Sequence, residues 1–219
     1  MNNQQGSCIL IGAGDLTISH IPVGEQDLCI AVDGGYEYCS LLEIEPDYIL
    51  GDFDSLGEGQ LERLKELEQK DNHRVIRIPR KKDDTDMLAA IKLGLEKGYR
   101  NFCIYAGAGG RLEHTLANIQ CLLYLKEHDA TGYMMDGTGM ILVAKEEAVS
   151  FRENLEGYLS LFSLGEKAVV SIENLKYTLD QYEVTNSFPI GISNEFMGKK
   201  GCVTVHRGAV VIIISWTED

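Results

Sequence analysis

The chain has 219 residues, room for one large domain or two small ones. Its 44% hydrophobic and 25% charged residues are the balance of an ordinary soluble globular protein, and its net charge of −14 argues against nucleic acid or an anionic membrane surface as the main partner. Small anionic substrates stay open to it, because a locally held metal overrides net charge. No apolar run approaches the roughly 20 residues of a membrane span, and the polar start Met1-Asn2-Asn3-Gln4-Gln5 lacks the basic residues of a signal peptide. The six cysteines are scattered and none forms a Cys-x-x-Cys pair. They read as reduced core thiols, and a cytoplasmic location is expected.

In chain order, residues 8–11 are a short apolar strand running into Gly12-Ala13-Gly14-Asp15. A Gly-x-Gly after a first strand fits either close backbone approach to a nucleotide or a tight turn. Residues 28–32 form the next strand, ending in Asp33-Gly34-Gly35, whose glycines leave room beside Asp33, and 36–42 read as a helix. The apolar run 48–50 leads into Gly51-Asp52-Phe53-Asp54-Ser55. Carboxylates at i and i+2 of an extended segment point the same way, so Asp52 and Asp54 are expected to face one site. Two aligned carboxylates repel unless a proton or cation lies between them. Mg²⁺ suits that place, being oxygen-liganded and often shared with substrate phosphates.

An amphipathic helix is expected over 61–67 and a strand over 75–78. Lys82-Asp83-Asp84-Thr85-Asp86 then opens a helix over 86–96 that Gly98 closes. Capping and the helix dipole need one aspartate of that stretch. Three carboxylates within four positions exceed the need, and with Lys82 as a point charge they read as a polyphosphate loop. After a strand at 102–105, Gly107-Ala108-Gly109-Gly110-Arg111 precedes a helix N-terminus, a place suited to an anion. Arg111 is a bidentate phosphate donor there. His114 either contacts the ligand or caps the helix.

Alternating strands and helices up to this point predict a parallel, Rossmann-like sheet covered on both faces. Near Tyr133 the pattern changes. Short strand-like runs follow at 140–143, 149–151, 158–162, 168–172, 201–205 and 209–214, separated by turn residues. They predict an antiparallel β-sandwich or barrel, with 210–214 as a central strand. The domain boundaries expected are 1–135 for the α/β domain and 136–219 for an all-β sandwich.

Taken together, Asp33-Gly34-Gly35, Gly51-Asp52-Phe53-Asp54-Ser55, Asp83-Asp84-Thr85-Asp86, the run from Gly109-Gly110-Arg111 to Asn118, Leu175-Lys176-Tyr177-Thr178-Leu179 and Ser193-Asn194-Glu195 resemble the bacterial thiamine pyrophosphokinases. The stretches keep the family's order across nearly the whole chain. The resemblance implies an N-terminal α/β ATP-binding domain and a C-terminal thiamine-binding sandwich. It also implies a homodimer with active sites between subunits, in which ATP and thiamine give thiamine diphosphate and AMP. By resemblance, Asp52, Asp54 and Asp86 hold Mg²⁺ and the triphosphate, one of them taking the hydroxyl proton. Asp33, Lys82, Asp83, Arg111 and His114 are implied on the ATP side. Tyr177, Ser193 and Asn194 are implied in the thiamine pocket, offered by the partner subunit. The chain departs from its relatives at Tyr177, where animal members carry Trp, and at Glu113, where many carry Asp. The acidic loops alone also fit another Mg²⁺-dependent kinase or pyrophosphokinase acting on a different small alcohol, with ADP rather than AMP marking transfer of a single phosphoryl group. A non-catalytic nucleotide or thiamine sensor on the same scaffold is a second alternative, which would not need both acidic loops.

Overall fold

A computed structural model describes residues 6–54, 56–79 and 83–216. Lys82, the expected phosphate cation, lies outside them. The chain divides into two compact units. One runs up to Cys121 and includes His128–Asp136; the other joins Leu122–Glu127 to the residues from Gly137 onward.

The first unit is built on the strands β1 (Cys8–Ile11), β2 (Leu28–Val32), β3 (Tyr48–Gly51), β4 (Val75–Arg77), β5 (Asn101–Tyr105) and β6 (Thr131–Met135), all paired in parallel in the order β6-β5-β1-β2-β3-β4. Continuous apolar runs such as Cys8-Ile9-Leu10-Ile11 form the central strands because a parallel sheet is covered on both faces. Every residue of β1 and β2 is buried. The helices are α1 (Gly35–Leu41), α2 (Glu58–Lys70), α3 (Asp86–Glu96) and α4 (Leu112–Glu127). Ile11 pairs with Ala31 on one side and Tyr105 on the other, so the strands end level. Strand order reverses at β1, with β2 on one flank and β5 on the other. The crevice beyond the strand ends at such a reversal is where open α/β sheets bind ligands.

Two expectations change here. Residues 131–135, where the sequence pattern marks only a change, are a sixth parallel strand, and 61–67 is the middle of a longer helix. The β6 sequence was hard to read because only Met134 is fully buried, so no apolar run marks it.

The second unit is a sandwich of antiparallel sheets. One runs β12 (Asn194–Glu195), β9 (Tyr158–Ser163), β14 (Ala209–Ser215), β7 (Gly139–Lys145); the other runs β11 (Leu179–Thr185), β10 (Lys167–Glu173), β13 (Cys202–Arg207), β8 (Ala148–Ser150). The apolar β14 is central, paired with both β7 and β9. Alternate residues of both sheets, among them Leu159, Leu161, Val170, Ile172, Val203 and Ile212, form one core. Strands β11 and β12 were not expected. β11 is an edge strand exposed over residues 180–183, with a register shift against β10, and β12 is two residues long. Neither carries the alternation that marks a half-buried strand.

Cys8, Cys29, Cys39, Cys103 and Cys121 are buried and Cys202 is half-buried, all as free thiols. Burial pushes the Cys8 thiol far up and the Cys121 thiol up to about 11. No helix among the described residues is long and apolar enough to cross a membrane.

Candidate active site

The loops at the C-terminal edge of the parallel sheet are tied to one another by backbone contacts that only glycine permits. Gly14 N–H donates to the Ala106 carbonyl and Asp15 N–H to the Ala108 carbonyl, each at 2.8 Å. The loops after β1 and β5 are thereby held side by side at the strand-order reversal. A Cβ on Gly35 would stand 1.9 Å from the Ile11 carbonyl oxygen, so glycine is what lets α1 start against the end of β1.

Asp33 follows β2 directly, in the left-handed region at φ 50. Its N–H donates to the Leu50 carbonyl at 2.8 Å, and a Cβ on Gly51 would approach its Cα to 3.0 Å. Asp33 and the start of the Asp52 turn are therefore neighbours across β2 and β3. That turn is not the extended segment the i, i+2 argument assumed. Phe53 sits at φ 61 and is 2% exposed, its ring capped by the Arg77 guanidinium 5.3 Å from the ring centroid. Arg77 is itself held by Glu68 through bonds of 2.6 and 3.0 Å. With Phe53 turned inward, the half-buried Asp52 and exposed Asp54 stay toward solvent, and Asp54 N–H donates to Asp52 Oδ1 at 3.1 Å. The shape of this turn follows from a buried ring and a left-handed residue, not from an extended run.

The first turn of α3 reaches the same edge, since Met87 Cε lies 3.1 Å from where a Cβ on Gly12 would be. The N-cap is Thr85, whose hydroxyl accepts from Leu88 N–H at 3.2 Å, so no aspartate caps this helix. Asp84 is bound by both oxygens to Lys92 Nζ at 2.6 and 2.8 Å. Asp83 is exposed and Asp86 half-buried in the first helical turn. Side-chain capping therefore accounts for none of these carboxylates, and Asp84 is engaged by Lys92.

Arg111 precedes α4, and its Nε donates to Glu113 Oε1 at 2.7 Å. Hydrogen bonds from Glu113's own backbone N–H and from Arg111 hold the Glu113 carboxyl below its usual range. The longer side chain at 113 thus serves the arginine. His114 is exposed and is the third residue of α4, past the cap position. Two contributors escaped the sequence reading. Buried Asn118 donates to the Gly107 carbonyl at 2.7 Å and fixes the glycine loop to its helix. Asp15 underlies Gly109, where a Cβ would come 2.2 Å from Asp15 Oδ2. Both stood inside motifs whose glycines drew the attention.

The carboxylates of this edge are hard oxygen donors. Among the described residues no three His, Cys, Asp or Glu side chains gather as a closed metal cage. One or two carboxylates, with other positions left to water and phosphate oxygens, is the donor set Mg²⁺ takes. On donor chemistry the Asp52–Asp54 turn fits that ion.

In the second unit, Tyr177 lies on the loop between β10 and β11 and is 63% exposed. Leu175 bridges Phe196, and Lys176 N–H donates to the Glu195 carbonyl at 3.0 Å. Lys176 Nζ also meets Glu195 Oε2 at 2.6 Å. Asn194 is 6% exposed, and its amide bonds both main-chain groups of Tyr177. Ser193, exposed at φ 56, donates its N–H to Ser160 Oγ at 3.1 Å. Tyr177, Ser193 and Asn194 are thus adjoining, and Asp33, Asp52, Asp54 and Asp86 all follow strands or open a helix at one edge of the parallel sheet.

Comparison with known proteins adds to this geometry. The family model for the thiamin pyrophosphokinase catalytic domain matches residues 23–134, and that for the thiamin pyrophosphokinase vitamin B1 binding domain matches 142–210. A thiamine pyrophosphokinase of Bacillus subtilis (strain 168) is 28% identical over 194 residues, 87% of this chain and 88% of that one. The crystal structure of thiamine pyrophosphokinase from Bacillus subtilis superposes with a TM-score of 0.83 at 24% identity, covering 97% of this chain and 100% of that one. That from Geobacillus thermodenitrificans gives 0.80 at 24% identity over 97% and 98%. The yeast enzyme gives 0.76 at 18% over 99% and 88%.

Proposed function

The chain belongs to the thiamin pyrophosphokinase family, and from that premise we propose that it moves the terminal pyrophosphoryl group of ATP to the hydroxyl of thiamine, giving thiamine diphosphate and AMP. The observation that carries the reading is the convergence of Asp33, the Asp52–Asp54 turn and Asp86 on one sheet edge, beside the glycine loop that leads to Arg111.

Asp52, Asp54 and Asp86 would hold Mg²⁺ with the triphosphate, and that ion, when bound, neutralises charge on the phosphate oxygens. Arg111, kept in place by Glu113, pairs with phosphate oxygens, and Asp33, Lys82, Asp83 and His114 complete the ATP side. Tyr177 stacks on the thiamine ring, with Ser193 beside it. The thiamine oxygen attacks the β-phosphorus, the bond from that phosphorus to the α-phosphate bridging oxygen breaks, and AMP leaves. One of the three aspartates takes the hydroxyl proton. As in other phosphoryl transfers, positioning and electrostatics supply most of the acceleration. Thiamine is a cation, so an acidic edge draws it as well as the metal.

We assign residues 1–135 to the ATP side and 136–219 to the thiamine side, in a cytoplasmic homodimer whose active sites lie at the subunit interface. The primary test is to incubate the protein with MgATP and thiamine and assay both products. Thiamine diphosphate with AMP supports the reading; ADP as product, or no turnover, overturns it. For the dimer, inactive Asp54→Asn chains exchanged with inactive Ser193→Trp chains should recover activity above either parent. No recovery in demonstrated heterodimers refutes a shared site.

A further inference from the structure

We propose that Asn194 is a positioning residue that clasps the backbone of Tyr177, setting where its ring stands before thiamine arrives, rather than a thiamine contact itself. This rests on the reading of Tyr177 as the thiamine-stacking residue. Asn194 Oδ1 accepts from the Tyr177 N–H at 2.9 Å, and Asn194 Nδ2 donates to the Tyr177 carbonyl at 2.7 Å. One side chain thus takes both main-chain groups of a residue 17 positions away. An amide side chain carries the same donor and acceptor as a peptide unit, so Asn194 acts like one more rung of a β-ladder. Asp lacks the donor.

The clasp falls where main-chain pairing ends. Leu175 bridges Phe196 and Lys176 N–H reaches Glu195 O, and beyond them the Asn194 side chain continues the pairing onto Tyr177. Tyr177 is 63% exposed, so packing does little to fix its ring, whose position follows from the backbone. Asn194 is 6% exposed and already engaged at both ends of its amide, which leaves it little surface for a ligand. The neighbouring Lys176–Glu195 pair is solvated on both sides and holds the loop weakly by comparison. Ordering a loop in advance spares the bound state that entropy, so the clasp acts on thiamine affinity.

Amide hydrogen exchange and steady-state kinetics on the full-length protein test this together. In Asn194→Ala the Tyr177 amide should exchange faster while amides of β13 and β14 keep their protection. The KM for thiamine should rise about threefold to tenfold, the range expected from losing a buried hydrogen-bond pair, with kcat and the KM for ATP within about twofold. In a Tyr177→Ala background the same substitution should add no further rise. Independent, multiplying effects would mean that Asn194 touches thiamine directly and would overturn the proposal, as would unchanged Tyr177 exchange. If Asn194→Ala does not fold, Asn194→Asp serves: its acceptor still takes the Tyr177 N–H, so that amide stays protected, but a second acceptor then faces the Tyr177 carbonyl. The KM for thiamine should still rise at least about threefold, and an unchanged KM would overturn the proposal. An unaltered thiamine KM in Tyr177→Ala alone strikes the stacking reading and the clasp's effect on binding with it, while exchange still reports whether the clasp exists.

Discussion

The acidic edge of the parallel sheet and the Tyr177 loop of the sandwich hold their side chains by opposite means. At the acidic edge each carboxylate follows a strand or opens a helix within three residues, and the parallel sheet brings the strand ends level. At the Tyr177 loop nothing local decides position, and pairing with residues 194–196 does. A parallel sheet turns sequence proximity into spatial convergence; a sandwich edge depends on long-range pairing.

The first and largest way to break this contrast is Asp54→Asn. Losing a proposed metal oxygen should lower turnover by orders of magnitude, because metal-borne charge stabilisation is worth several kcal/mol. The exposed position of Asp54 should leave the melting temperature nearly unchanged. Near-normal activity at saturating Mg²⁺ would show that the turn carries no chemistry. Next is Phe53→Ala, which removes the buried ring from under the turn. Truncating a buried Phe costs about 3–5 kcal/mol, offset in part by relief of a bulky residue at φ 61. Denaturant unfolding should give a loss of about 3 kcal/mol. A loss below about 1 kcal/mol would mean the ring does not anchor the turn.

Tyr177→Ala should act on one substrate alone. A cationic ring on an aromatic face gains about 0.5–2 kcal/mol, so the KM for thiamine should rise about tenfold while that for ATP holds. Tyr177→Trp should keep the pocket. Equal losses for both substrates with a lowered melting temperature would make Tyr177 a structural residue. The smallest effect concerns Glu68 and pH. The hydrogen bond from Arg77 holds the Glu68 carboxyl below its usual range. A depressed carboxylate stabilises the fold above its unfolded pKa, and that contribution fades as pH falls through the folded value. Glu68→Gln should therefore flatten the stability-versus-pH curve slightly below about pH 4.5, and thermal melts across that window give the comparison. Identical curves would show that the pair contributes nothing.

The same contrast explains what was legible beforehand. Asp52, Asp54 and Asp86 stand beside apolar runs that announce a strand or a helix, so a reader of the chain meets the motif and its placement together. The i, i+2 argument assumed an extended backbone, because nothing local shows that Phe53 turns left-handed to bury its ring. Strands β11 and β12 passed unread, since an exposed edge strand and a two-residue strand carry no hydrophobic period. Asn194 was legible as a residue of interest through family resemblance, but its engagement with Tyr177 depends on a pairing that spans 17 positions. The parallel strand β6 was lost because Met134 is its single fully buried residue.

The distribution of thiols has an experimental use. All five buried cysteines lie in the first unit, and the sixth, the half-buried Cys202, lies in the second. A buried neutral thiol is inert toward alkylating reagents until the chain around it opens. Under native conditions a thiol reagent should therefore mark Cys202 first. Later modification of the other five becomes a clock for opening of the parallel-sheet unit, read by mass spectrometry without any engineered probe.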